Sequence, residues 1–504
     1  MDTAPTPPLA ELMRPASAAH PDKPALVHKG IALTYRRVRA DVARIGARLR
    51  ALGIGPGDIV AVHLRTPVTH WMVTLALMRI GAVSLTLTRN ARAELDALAG
   101  LSAVICGAGE ESAFPEALWR IAVGRDWLDG PVPADRVLPA PEAAGQSVGR
   151  ICFTSGTSGR PKAILLDAGL LGARLARTAG RAGIDAGSVL WCGLGPDTAF
   201  GFTATLATWY EGGTVLLSAG GPGAFAEMQA RGVNMLIASP AALSPLVRDA
   251  RATKRPRLDG RTIVAGGRLT VELRDQVRAH LCDAVRIAYG ASEAGGVTLG
   301  DARALDIHPG RVGAAFADID VEVVGPDGAP LPPGSEGRLR LRTESTVTGY
   351  LNDPDASAAH FEAGWFIPGD IAMLSPDGAL TLLGRTAQIL NLGGVKLPIE
   401  ALEARLAALD GVTDACALLR SVGGATAPEL VIVAVVAEAA AGRLGETIRA
   451  AFPQLPPAAL YMAPALPRGS MGKVAKQTLA EAAAAADAGS VGADALGIVS
   501  LGLV

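Results

Sequence analysis

An excess of charge of either sign is the first thing the sequence lacks. Lys plus Arg number 47 and Asp plus Glu 48, for a formal net charge of −1. No field therefore draws the chain onto nucleic acid or an anionic membrane, and any nucleotide it binds should be small. Cysteine is scarce too. The five present (Cys106, Cys152, Cys192, Cys282 and Cys416) are scattered, and the seven histidines never approach them at metal-ligand spacing. Neither disulfides nor structural zinc are expected.

Long apolar runs are missing as well. The most apolar stretch, Trp71 to Leu87, is interrupted by Arg79 and Gly81, so it reads as a buried helix, a turn and a strand rather than a membrane span. The opening MDTAPTPPLAELMRPAS has no basic start, apolar core and cleavage site. A signal peptide is not expected, and residence in the cytoplasm is. Aromatic residues make up only 4% of the chain while apolar residues reach 49% and glycine alone numbers 60. Such a composition argues against disorder and for helices packed tightly on sheets through small side chains. At 504 residues the chain exceeds what one core usually supports, which predicts one large domain and at least one smaller one.

The pattern along the chain is β-α-β. Thr34 is placed to cap a helix from Tyr35 in which Val38, Val42, Ile45 and Leu49 keep helical spacing until Gly53. Strands are predicted at Ile59 to Leu64, Ala82 to Leu87 and Ala103 to Cys106, with helices near Trp71 to Met78 and Ala93 to Leu98 between them. This rhythm predicts parallel sheets covered by helices. Turn-rich sequence from Gly310 to about Leu341 predicts a small β-subdomain, and SPDG precedes a strand from Ala379 to Leu383. After Arg385 the pattern changes to short strands, an amphipathic helix Glu400 to Leu409 and a strand Leu430 to Val436. The expected division is a large α/β domain over 1–385, a small mobile α+β domain over 386–480, and an Ala/Gly-rich tail over 481–504, loosely held as termini usually are.

The chemistry starts at residues 153 to 163, FTSGTSGRPKA, which follow an apolar strand. Thr154, Ser155, Gly156, Thr157, Ser158 and Gly159 let successive backbone N–H groups turn toward one anion, and Lys162 adds a charge. The spacing is not that of the common P-loop. In order, further segments are AGGRLT from Ala265, YGASE from Tyr289, GYLNDP from Gly349, GWFIPGD from Gly364, ILNLGGVKL from Ile389 and LPRGSMGK near the end. Together these closely resemble the adenylate-forming superfamily of acyl-CoA synthetases, peptide-synthetase adenylation domains and luciferases, over nearly the whole chain.

The resemblance implies roles. Gly266, Gly267 and Arg268 resemble the turn that approaches adenine, Tyr289 the residue that stacks on it, and Gly290 and Ala291 the nucleotide-binding positions that follow it. Ser292 stands where a hydroxyl meets the α-phosphate, and Glu293 where a carboxylate helps hold Mg²⁺. Asp370 resembles the acceptor of the ribose hydroxyls and Arg385 the cation beside it. Lys473 resembles the C-terminal lysine that enters the site during adenylation. Attack of a carboxylate on the α-phosphate of ATP brings anions together, so such cations are what the chemistry needs.

Four positions depart from the pattern. Ser158 stands where Thr is usual, Ala163 where Gly is usual, and Ala387 at the hinge where Asp or Lys is usual. The region Trp191 to Phe202 lacks a His that many relatives of the CoA type carry. Gly393 and Gly394 resemble the loop that lines the thiol tunnel. Gly290 stands where acetyl-specific members place Trp, which implies a longer substrate, and the pocket is expected to be lined by Phe200, Gly201, Phe202, Ala265 and Gly290. With Ala199 where an α-amino-binding Asp would sit, and Asp197 two residues early, the acid is expected to lack an α-amino group. The implied activity is an acid–CoA ligase using ATP, Mg²⁺ and coenzyme A. The alternatives are a freestanding enzyme that loads the phosphopantetheine thiol of a separate carrier protein, and an inactive nucleotide-binding homologue.

Overall fold

The hydroxyl of Thr34 accepts a hydrogen bond from the N–H of Arg37, starting the helix Tyr35–Ala51, which buries Val38, Val42, Ile45 and Leu49. The cap satisfies one of the helix's orphan donors, and the buried stripe decides which face meets the sheet. The computed structural model describes residues 12–88, 91–124, 127, 149–155, 161–385, 389–392, 395–420, 429–453, 455–468, 474–487 and 496–503.

Two parallel-cored sheets form the large part. In the first, the strands Trp119–Val123, Leu101–Gly107, Ile59–His63, Val83–Thr86 and Gly149–Ser155 lie side by side and parallel, and Pro161–Asp167 closes the edge antiparallel. In the second, Arg261–Val264, Met235–Ala238, Val189–Cys192, Thr214–Leu216 and Pro24–His28 run parallel in a continuous row. Ala284–Ala291 extends this row in parallel beside Arg261–Val264. Antiparallel strands, Gly295–Asp301 and Ile31–Thr34, finish the two edges. Helices Pro67–Arg79, Ala168–Ala182 and Ala199–Tyr210 contribute to the apolar layer that joins both sheets in one core. Strands buried on both faces need continuous apolar runs, which is why Val60, Ala61 and Val62 are all inaccessible to solvent.

The predicted β-subdomain is a seven-stranded antiparallel sheet. In it Asp370–Leu374 pairs with Ala379–Arg385 in a register that sets Asp370 directly opposite Arg385. Beyond it, the hairpin Ile389–Leu392 with Val395–Pro398 leads to a four-stranded sheet of Val412–Arg420, Glu429–Val436, Ala458–Met462 and Val499–Leu503. Its two faces carry separate apolar clusters, one with the helices Ile399–Ala407 and Leu444–Ala451, the other with Lys476–Asp487. Among the described residues, no cluster of buried residues mixes side chains from before residue 381 with side chains from after residue 398. That segregation is the two-part α/β architecture.

The expectation of a loosely held tail is overturned. Lys476–Asp487 is a helix that buries Leu479, Ala482 and Ala483 against the small sheet. Val499–Leu503 adds to that sheet as an antiparallel strand beside Ala458–Met462. Alanine has the highest helix propensity, and its small side chain permits close packing on strands, so an Ala-rich segment forms a sheet-covering helix. Among the described residues no helix is long and apolar enough to cross a membrane.

Candidate active site

Polar side chains from distant parts of the sequence meet where the second sheet adjoins the β-subdomain. The strand Ala284–Ala291 carries Tyr289, whose hydroxyl donates to Asp370 Oδ2 at 2.6 Å. Arg385 Nε donates to the other oxygen, Oδ1, at 3.1 Å. Asp370 is 7% exposed, so both its oxygens are held by an aromatic hydroxyl and a guanidinium rather than by bulk water. Burial first, and the neighbouring carboxylate second, push the Tyr289 hydroxyl well above its ordinary range. It therefore stays protonated and donates.

A second network adjoins the first. Glu293 follows the same strand, is 7% exposed, and accepts from the Tyr350 hydroxyl at 2.8 Å. Burial and Glu293 raise the Tyr350 hydroxyl as well, while the charge of Arg385 acts on both tyrosines in the opposite direction. The two networks thus share one electrostatic environment. Lys162, which stands across the antiparallel pair from Thr154, is also buried. Its ammonium lies 4.9 Å from the Tyr350 ring centroid and 3.1 Å from His360 Nε2.

The backbone here is fixed by an arginine that motif reading missed. Arg174 lies on the buried face of the helix Ala168–Ala182 with Leu171 and Leu175. It donates to the carbonyls of Ser292 at 2.7 Å and Glu293 at 2.8 Å, and to that of Ser345. Burial lowers its pKa to about 10, which leaves it charged at neutral pH. A guanidinium can satisfy several carbonyls at once from a rigid fork, so one side chain sets the turn that carries Ser292 and Glu293. The signal was present: Arg174 interrupts an otherwise apolar helical stripe. Tyr350 stood inside a quoted segment without a role, and His360 carried no signal.

Other expected residues are placed as follows. Gly266 adopts a φ of 78° after the strand Arg261–Val264, with Gly267 and Arg268 exposed beside it. Ala291 and Ser292 are half-buried. Ala163, buried, uses its carbonyl to accept from Leu351 N at 2.8 Å, which ties the Lys162 strand to the Tyr350 segment. Gly156, Thr157, Ser158, Gly159, Ala387, Gly393, Gly394 and Lys473 lie outside the described residues, as does the side chain of Ser155.

The expected acyl wall is more closed than sequence implied. Phe202 is fully buried, stacked on Trp71 at 5.5 Å and lying 4.5 Å below the Arg150 guanidinium. It belongs to the core. Ala265 is buried and Phe200 half-buried. Arg150, itself inaccessible, donates to Thr86 Oγ1 and to the Pro196 carbonyl, each at 2.6 Å. Gly201 packs against the preceding turn, where a Cβ would come within 2.7 Å of the Gly195 carbonyl oxygen. At Gly290 a Cβ would lie 2.4 Å from the Gly295 carbonyl oxygen, where the register of the antiparallel pair shifts. Close backbone approach therefore accounts for glycine at 290 before any demand for pocket volume.

A carboxylate held by two donors, a second buried carboxylate on a fixed turn and a buried lysine are suited to hydroxyls, a hard cation and phosphate respectively. The AMP-binding enzyme family model matches residues 13–351, and the chain belongs to that family, within the adenylate-forming superfamily. A feruloyl-CoA synthase of Amycolatopsis sp is 30% identical over 413 residues, covering 79% of this chain and 82% of the relative. A medium/long-chain-fatty-acid–acyl-carrier-protein ligase of Mycobacterium tuberculosis is 27% identical over 496 residues, 90% of this chain and 91% of that one. The O-succinylbenzoate coenzyme A synthetase of Bacillus subtilis, solved in complex with AMP, shares the fold with a TM-score of 0.79 at 19% identity, across 93% of this chain and 98% of that chain.

Proposed function

We infer that the protein is an AMP-forming acid–CoA ligase. The observation that carries this reading is the meeting of Tyr289, Asp370 and Arg385 with Glu293, Tyr350 and Lys162 in a chain of the AMP-binding enzyme family. The substrate read from sequence is a carboxylic acid longer than acetate and without an α-amino group. The relative named a feruloyl-CoA synthase supports an aromatic acid within that class.

In this reading Asp370 accepts from the ribose hydroxyls and Arg385 orients it. The face of Tyr289 is offered to the base while its hydroxyl stays tied to Asp370. Lys162 and the loop before it take the β- and γ-phosphates. Glu293 is a hard oxygen donor oriented by Tyr350, which fits Mg²⁺; when bound, the ion supplies charge neutralisation to the phosphate oxygens. The acid's carboxylate oxygen attacks the α-phosphorus and pyrophosphate leaves, with Lys473 placed by the family resemblance at the developing charge. A thiolate then attacks the acyl carbonyl and AMP leaves. Cytoplasmic residence and rotation of the small domain about Ala387 belong to the same reading.

One observation favours a second acceptor: the relative named an acyl-carrier-protein ligase covers 90% of the chain, against 79% for the feruloyl-CoA synthase. Purified protein incubated with MgATP, a panel of aromatic and medium-chain acids, and either CoA or a phosphopantetheinylated carrier separates the two. AMP release with acyl-CoA formation is expected. AMP release with acylation of the carrier alone would replace CoA by the carrier, and no AMP with any acid would sink both.

A further inference from the structure

His360 ends the helix Pro354–His360, in a stretch with no role in the nucleotide site described above. Its Nδ1 lies 2.8 Å from the carbonyl oxygen of Ile367. A carbonyl can only accept, so Nδ1 bears the proton, and in the neutral ring Nε2 then carries the lone pair. Facing that lone pair at 3.1 Å is Lys162 Nζ, which as an ammonium can only donate. The polarity of the contact is therefore set from both ends. The Tyr350 ring meets His360 edge-on at 5.8 Å and offers its face to the same ammonium. Lys162 is thus held between a lone pair and a π face, next to the hydroxyl that orients Glu293.

We propose that His360 is a positioning residue for Lys162, fixing the ammonium at the phosphate end of the site before the nucleotide arrives. A free lysine loses considerable rotamer freedom when it is fixed. If the loss is met within the folded protein, it is not charged against nucleotide binding. His360 touches no reacting atom; it acts through Lys162, and the acid side of the site is indifferent to it. The inference rests on the ligase reading above, in which Lys162 meets the phosphates.

The test uses acid-dependent exchange of pyrophosphate into ATP by the full chain, with variants that separate the two nitrogens of the imidazole. His360→Asn retains a donor at the reach of Nδ1 for Ile367 but loses the acceptor for Lys162. His360→Gln places an amide oxygen at the reach of Nε2. The asparagine variant is expected to raise KM for MgATP about tenfold, the effect of losing one well-placed hydrogen bond, with KM for the acid and the melting temperature unchanged. The glutamine variant is expected to stay within about twofold of wild type, since the acceptor persists. An unchanged KM for MgATP in the asparagine variant, or equal rises in both variants, would overturn the proposal. Absence of exchange by the wild-type protein with every acid would instead defeat the ligase reading, so the two failures are distinguishable.

Discussion

Around Tyr289 and Glu293 the protein joins residues far apart in sequence through charged and hydroxyl groups, whereas around Phe202 it joins them through close packing. In the first region each bond has a chemical direction: Tyr289 and Arg385 donate to Asp370, and Tyr350 donates to Glu293. In the second, Phe202 stacks on Trp71 and lies against the Arg150 guanidinium, and Gly201 allows its helix to approach the preceding turn. Preorganised polar groups suit a ligand whose charges are always the same. A packed wall suits a ligand whose shape must be selected. In the ligase reading proposed above, the two regions would serve a common nucleotide and a particular acid.

Four substitutions probe the two regions separately. The largest effect is expected at the packed wall. Phe202→Ala should cost about 3–5 kcal/mol of stability, because a fully buried aromatic side chain is removed and its neighbours only partly relax; chemical denaturation measures it, and a loss below 1 kcal/mol would show the site to be open after all. Next comes Glu293→Gln, which keeps an acceptor for Tyr350 and removes the charge. Pyrophosphate exchange should fall about 100-fold with the melting temperature retained. A variant that exchanges normally would remove Glu293 from the polar network's working part.

The third concerns His70, which hydrogen-bonds Thr86 beneath Arg150. Burial, helped by the Arg150 charge, holds its pKa down at about 3, against an ordinary 6.5. Below pH 6.5 the unfolded chain takes up a proton that the folded one refuses, so stability is complete above that pH and declines as pH falls toward 3. The decline is about 1.4 kcal/mol per pH unit. Denaturation midpoints at pH 7 and pH 5.5 should separate wild type from the non-titrating His70→Gln, whose profile should be flatter; parallel profiles would refute the assignment. The smallest effect belongs to Tyr289→Phe. Removing the hydroxyl from Asp370 should lower stability by about 1 kcal/mol and leave the ring in place. Thermal unfolding would register this, and a shift several times larger would mean that the hydroxyl organises more than Asp370.

Much of the polar region was legible because its residues sit in short ordered segments. Tyr289, Glu293, Asp370, Arg385 and Lys162 were all named from such segments, and the structure brings them together. The cross-strand register that sets Asp370 opposite Arg385 could not be read, because pairing depends on partners distant in sequence. Arg174 and His360 were missed for the same reason: their bonds reach backbone or side chains more than a hundred residues away. The acyl wall misled in a different way. Gly290 reads as empty space in a sequence, yet the strand opposite fills that space with its own backbone. The C-terminal segment read as loose because termini usually are, but its helix and final strand cover and extend the small sheet. Periodic helices such as Tyr35–Ala51 were legible nearly end to end, since capping and burial there are local.

If the polar networks form an adenylation site, the wild-type protein exchanges labelled pyrophosphate into ATP with some member of a panel of aromatic and medium-chain acids. That exchange should require both acid and magnesium and should be lost in Lys473→Ala. A folded wild-type protein that exchanges no pyrophosphate with any acid would contradict that assignment of the networks.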